Sequence, residues 1–163
     1  MNWRFDHLAF NCAEGEALQQ AFADLLGLQT GRRPPFPFPG RWLYQGEAAL
    51  VHVIEQAHCP EPQLSHIAFS TQEAAEAVLR RVQASGLEHQ VAQVPEDGIW
   101  QIFVRLPGGL VLELDAPAMG ALSINHDYAR QGGHRPEPSH EKARGSRGSN
   151  GLVSWPGPCS AAA

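Results

Sequence analysis

The hexapeptide Asp6-His7-Leu8-Ala9-Phe10-Asn11 returns 59 positions later as Ser65-His66-Ile67-Ala68-Phe69-Ser70. The same offset relates Leu26-Gly27-Leu28 to Ser85-Gly86-Leu87, and an offset of 60 relates Leu50-Val51 to Leu110-Val111. A drift of one residue over so long a stretch is what a loop insertion produces. A repeat of this period implies two copies of one supersecondary unit, each with an apolar face that it cannot bury alone. The copies occupy residues 1–58 and 62–118 and form one domain, 1–118.

Each copy reads in the same order. Residues Phe5 to Phe10 alternate and are rich in aromatic and aliphatic side chains, which predicts a strand. A helix follows, with Leu18, Phe22, Leu25 and Leu26 on one face and Gly27 at its C-terminal stop. Its counterpart carries Ala75, Val78, Leu79 and Val82, opens on Ser70 with Glu73 as a capping box, and ends at Gly86. Extended segments complete each unit: Trp42 to Tyr44 and Ala49 to Ile54 in the first, Ile99 to Val104 and Leu110 to Asp115 in the second. Pro107-Gly108-Gly109 supplies the last hairpin turn. The expected class is α+β, with two tandem βαβββ modules. The run Pro34-Pro35-Phe36-Pro37-Phe38-Pro39-Gly40 lacks four ladder donors and is read as a stiff loop.

Period-two alternation puts His7 on a face with Phe5 and Ala9, and His66 with Leu64 and Ala68. Glu113 stands in the apolar run Leu110 to Leu114, where a carboxylate is costly to bury unless it is paired or bound to a cation. Aligning Leu50-Val51-His52-Val53 with Val111-Leu112-Glu113-Leu114 sets His52 opposite Glu113. The duplicated strands thus present His7 and His66 at one equivalent position, His52 and Glu113 at another. Imidazole and carboxylate donors suit Zn, Ni, Mn, Co or Fe as the divalent ion. His7, His66 and Glu113 form the expected core of the site. His52 is either a fourth ligand or a residue standing behind the ligands or against substrate.

The remaining composition narrows the partners. With 43% hydrophobic and 18% charged residues the 163-residue chain is of ordinary globular make-up. A net charge of -5 argues against nucleic acid as a partner. No apolar run approaches the roughly 18 residues of a membrane span. Cys12, Cys59 and Cys159 leave an odd count with no CxxC pair, so a disulfide framework is not expected and a cytoplasmic location is. Residues 119–163 read as a C-terminal extension, mostly disordered from about residue 130, where glycine, proline and serine prevail.

At its candidate ligands the chain resembles the vicinal oxygen chelate superfamily, which includes glyoxalase I, methylmalonyl-CoA epimerase, extradiol dioxygenases and bleomycin-resistance proteins. The resemblance is carried by Asp6 to Phe10, Leu25 to Leu28, Val51 to Ile54, Ser65 to Phe69 and Val104 to Leu114. It implies a U-shaped mixed sheet around a metal cavity, with helices outside and ligands His7, His52, His66 and Glu113. It also implies a small-molecule substrate chelated through vicinal oxygens, and a homodimer. Glyoxalase I carries glutamate or glutamine where this chain has His52, so a catalytic proton-transfer role falls to Glu113. A lyase or isomerase of glyoxalase-like type is the expected activity. An iron-dependent extradiol-type dioxygenase and a non-catalytic small-molecule binding or resistance protein are the alternatives. Phe36, Phe38, Trp42 and Tyr44 are candidate substrate-binding walls, while Arg32, Arg33 and Arg41 are read as surface charge.

Overall fold

The computed structural model describes residues 2–118; the expected extension lies outside them. The first copy contains β1 (Arg4–Cys12), α1 (Gly15–Leu26), β2 (Gln29–Thr30), β3 (Gly40–Gln45) and β4 (Ala48–Glu55). The second contains β5 (Gln63–Ser70), α2 (Ala75–Ser85), β6 (His89–Gln93), β7 (Ile99–Arg105) and β8 (Val111–Pro117). Both copies are βαβββ modules. They build one eight-stranded mixed sheet in the order β2-β3-β4-β1-β5-β8-β7-β6. Within each module the first strand pairs in parallel with the last, and the rest of the ladder is antiparallel. The modules meet within one chain, through the antiparallel pair β1–β5.

Alternation along each strand separates two faces. The outer face takes the helices. Ala75, Val78 and Val82 of α2 pack on Val91, Trp100, Ile102, Val104 and Ala116. In the first module Leu18 and Phe22 of α1 cover Cys12, Leu43, Val51 and Val53. Both helices stop at a glycine in the left-handed region, Gly27 at φ 69 and Gly86 at φ 71, a conformation that costs a side-chain-bearing residue more.

Several local expectations need correction. Leu25 and Leu26 are 81% and 60% exposed, because Gly27 turns the chain and sends Leu28 into the core instead. Ser70 ends β5 and does not cap α2, which starts at Ala75 without a side-chain cap. Glu73 instead makes a two-pronged ion pair with Arg81 at 2.6 and 2.9 Å. Strands β2 and β6 were not singled out by periodicity: one has two exposed residues, and the other is a polar edge segment. Cys12 is a free buried thiol, and Cys59 is fully buried beside the Asn11 carbonyl. No helix among the described residues is long and apolar enough to cross a membrane.

Ile102 is fully buried between α2 and the sheet. Ile102→Ala is expected to lower the unfolding free energy by about 2–5 kcal/mol, the loss of transfer energy plus a residual cavity, measured by urea denaturation.

Candidate metal centre

Residues paired across a ladder point to the same face. The register β3–β4–β1–β5 therefore sets Trp42, His52, Ala9 and His66 in one lateral row. The register β5–β8–β7 sets Ala68, Glu113 and Phe103 in the next. Ala9 and Ala68, both fully buried, offer only a methyl group between the larger side chains.

The β1–β5 ladder is irregular at two places. Leu8 pairs with Ile67 at its centre. On one side Asp6 and His7 lie between ladder partners that leave only Ala68 on β5; on the other, Ser65 and His66 face Ala9. These are β-bulges at repeat-equivalent positions, related by a local two-fold about the Leu8–Ile67 pair. A bulge bends its strand and re-aims side chains. Here each one lets the residue before the histidine reach the histidine's own ring. Asp6 Oδ1 lies 3.0 Å from His7 Nδ1, and Ser65 Oγ lies 3.1 Å from His66 Nδ1.

The other ring nitrogens converge. His7 Nε2 and His66 Nε2 are 3.4 Å apart, His66 Nε2 is 2.7 Å from Glu113 Oε2, and His7 Nε2 is 4.0 Å from the same oxygen. All three residues are buried, Glu113 completely. The point equidistant from three corners so spaced lies about 2.0 Å from each, the bond length of a divalent ion to imidazole or carboxylate. Glu113 Oε2 has no hydrogen bond despite His66 at 2.7 Å, while Oε1 accepts one from Gln101 Nε2 at 2.5 Å. A buried carboxylate oxygen without a donor, facing two imidazole nitrogens, is the donor set that a cation satisfies. The residues present fit a divalent metal.

The electrostatics agree with this arrangement. Burial pushes the Glu113 carboxyl upward, but the neighbouring His66, with smaller help from His7 and Asp115, brings it down to about 2. Asp6 is held below its ordinary value, chiefly by its hydrogen bond to His7. Burial, followed by the charge and hydrogen bond of Glu113, raises Asp115 well above the usual carboxylate range.

His52 has a different place. Its ring stacks on His7 at 3.6 Å and on Trp42 at 4.0 Å, the latter only 2° from parallel. Among the described residues two groups of donors are close enough to share an ion, His7 with His66 and Glu113, all buried, and His7 with Asp6 and Asp115; neither includes His52. Burial first, then the charges of His7, His66 and Arg33, hold His52 well below its ordinary value, and its Nε2 is buried without a hydrogen bond.

A cavity of about 270 Å³ adjoins the cluster and is lined by His7, Trp42 and His52 from one module and Gln101 and Asp115 from the other. Of the expected walls, Trp42 lines it directly. Phe36 packs on Trp42 at 6.1 Å and on Phe38 at 5.3 Å, so the proline loop backs that wall. The Arg33 guanidinium lies 5.1 and 5.0 Å from these two phenylalanine rings. Tyr44 turns away, its hydroxyl donating to the Arg32 carbonyl at 2.5 Å. Arg41 pairs with Glu55 at 2.6 Å. Sequence reading missed Asp6, Ser65 and Gln101. The first two were detectable as oxygen-bearing residues preceding each repeated histidine; Gln101 carried no such signal.

Gln101→Leu strands Glu113 Oε1 in a dry interior. The expected cost is about 1–3 kcal/mol of stability in metal-free protein, read from urea midpoints at neutral pH.

No family model matches the sequence, and no curated protein matches it. Solved structures do. A variant of Streptomyces coelicolor methylmalonyl-CoA epimerase in complex with 2-nitronate-propionyl-CoA is 17% identical, with a TM-score of 0.53, over 71% of this chain and 97% of that one. The Mycobacterium tuberculosis methylmalonyl-CoA epimerase is 16% identical, TM-score 0.52, over 70% and 87%. A Mn(II)-bound glyoxalase from Novosphingobium aromaticivorans is 20% identical, TM-score 0.52, over 73% of this chain and 42% of that one. With paired βαβββ modules and these structural relatives, the chain has the vicinal oxygen chelate fold.

Proposed function

We propose that this protein is a divalent-metal-dependent enzyme that binds a small hydroxycarbonyl or related compound through two adjacent oxygens, as a glyoxalase-like lyase or isomerase. The observation that carries the reading is the triangle of His7 Nε2, His66 Nε2 and Glu113 Oε2, whose centre suits one ion. An epimerase with a bound CoA compound and a manganese-bound glyoxalase among proteins of the same fold support isomerase or lyase chemistry.

In this reading His7, His66 and Glu113 hold the metal, which supplies Lewis-acid stabilisation of negative charge developing on substrate oxygen. Two neutral imidazoles and one carboxylate offset a single unit of the ion's charge and leave positions for two substrate oxygens. Gln101 fixes Glu113 through Oε1, leaving Oε2 as the ligating atom. Glu113 enters this reading as a ligand that brings the negative charge the two imidazoles lack. Trp42 forms a flat wall, and His52, stacked between Trp42 and His7, lines the cavity beside it. His52 joins the ligands only if its ring leaves the stack with Trp42 and His7.

Full-length protein purified without a histidine tag is expected to contain about one divalent metal per chain by elemental analysis. Chelation should lower the thermal midpoint, and a metal at about a hundredfold excess over its Kd should restore about 2.7 kcal/mol. His7→Ala and Glu113→Ala should abolish that response; an unchanged response in both would refute the site.

One observation also favours oxygen chemistry: two histidines and one carboxylate with open positions is the donor set of non-haem iron oxygenases. Anaerobic loading with Fe²⁺ and a catechol, followed by admission of oxygen, separates the readings. Stoichiometric oxygen uptake identifies a dioxygenase; turnover of a hemithioacetal or epimerisation of an acyl-CoA ester without uptake identifies the lyase or isomerase.

A further inference from the structure

The metal reading names the atoms that would bind the ion but not what holds them on target. An imidazole on a single Cβ swivels about two torsions, and it ligates through Nε2 only when the proton sits on Nδ1. In this chain both freedoms are addressed from the same place in each repeat. Asp6 precedes His7 and Ser65 precedes His66, at the offset of 59 that relates the histidines themselves. In a regular strand neighbouring side chains point to opposite faces, and neither residue would reach the next ring. The paired bulges remove that obstacle, and the Asp6–His7 and Ser65–His66 contacts are 3.0 and 3.1 Å.

We infer that Asp6 and Ser65 are positioning residues for a divalent cation, each engaging Nδ1 of the following histidine so that Nε2 faces the common centre. The inference rests on the metal reading of the site. The two devices differ in strength. A carboxylate only accepts, so Asp6 demands a proton on His7 Nδ1 and directs the lone pair of Nε2 inward. A hydroxyl both donates and accepts, so Ser65 orients His66 without choosing its tautomer. His7 is therefore the ligand set before the ion arrives, and His66 is the one that adapts. The Asp6 side chain is 38% exposed, which places its effect toward the weaker end of what outer partners of ligands contribute.

The test uses the full chain with Asp6→Ala, Asp6→Asn and Ser65→Ala. Long-range proton–nitrogen NMR of metal-free protein, at a pH where the imidazoles are neutral, should find the His7 proton on Nδ1. Asp6→Ala should turn that into a tautomer mixture, whereas Asp6→Asn, which keeps an acceptor oxygen, should preserve it. Cobalt titrations should show Asp6→Ala weakening Co²⁺ about 10-fold or somewhat more, with an altered visible spectrum, and Ser65→Ala weakening it less. Urea midpoints near wild type would separate positioning from loss of fold; should Asp6→Ala fail to fold, the tautomer of wild-type His7 and the Asp6→Asn affinity decide. The inference is overturned if wild-type His7 carries its proton on Nε2, or if Asp6→Ala leaves both tautomer and affinity unchanged. Absence of Co²⁺ binding by the wild type, with His7 protonated on Nδ1, would sink the metal reading and leave a ring-orienting contact. An unaffected Asp6→Ala with a dead His7→Ala would spare the metal reading and sink the inference.

Discussion

The antiparallel pair β1–β5 is the constraint on which the rest depends. It joins the two modules within one sheet, and its axis at Leu8–Ile67 makes them equivalent. Because of that axis, whatever a strand does at Asp6-His7 its twin does at Ser65-His66. Two histidines from opposite sides of the ladder's centre thereby arrive 3.4 Å apart at their Nε2 atoms, across a centre that neither module contains alone. Register here is unforgiving. A slip of one residue would turn both rings to the helix-covered face.

The site pays little attention to stability. Glu113 Oε2 and His52 Nε2 are buried without hydrogen bonds, and two imidazole nitrogens confront each other at 3.4 Å. Each such group costs on the order of 1–3 kcal/mol. Elsewhere the described residues follow ordinary rules: apolar faces meet under each helix, left-handed turns take glycine, and Glu73 and Arg81 pair on the surface. Unsatisfied polar atoms also occur away from the site, at Trp100 Nε1 under α2 and at Asn11 Oδ1, but Glu113 Oε2, His52 Nε2 and Asp115 Oδ1 fall close together beside the histidines, as expected of a place shaped for a ligand.

Much of this was legible in the sequence because duplication doubles the evidence. A single histidine in an apolar strand is ambiguous, whereas His7 and His66 at one repeat position, with Glu113 and His52 at another, define lateral rows before any coordinates. The strand and helix order of each module followed from periodicity. What escaped notice has physical reasons. Strand β2 is two residues long and β6 is a polar edge, so neither carries an alternating signal. Leu25 and Leu26 fit the helical stripe of α1, but that stripe ends where Gly27 turns the chain. The reach of Asp6 and Ser65 to the next residue's ring requires bulges, and a bulge depends on the partner strand.

The two modules share one strand and helix order but differ at positions facing the site. At the final-strand position one carries Glu113 and the other His52; in the adjoining strand one carries Phe103 and the other Trp42. The carboxylate takes the centre, fixed by Gln101, and brings the negative charge that two imidazoles lack. The imidazole is drawn aside, since a neutral flat ring between Trp42 and His7 gains two stacked faces that a carboxylate would forgo. The last strands of the two modules thus differ: Glu113 faces the two histidines, while His52 stacks beside the cavity. Differences at these twin positions make an unsymmetrical site on a symmetric scaffold, which recognition of an unsymmetrical small molecule requires.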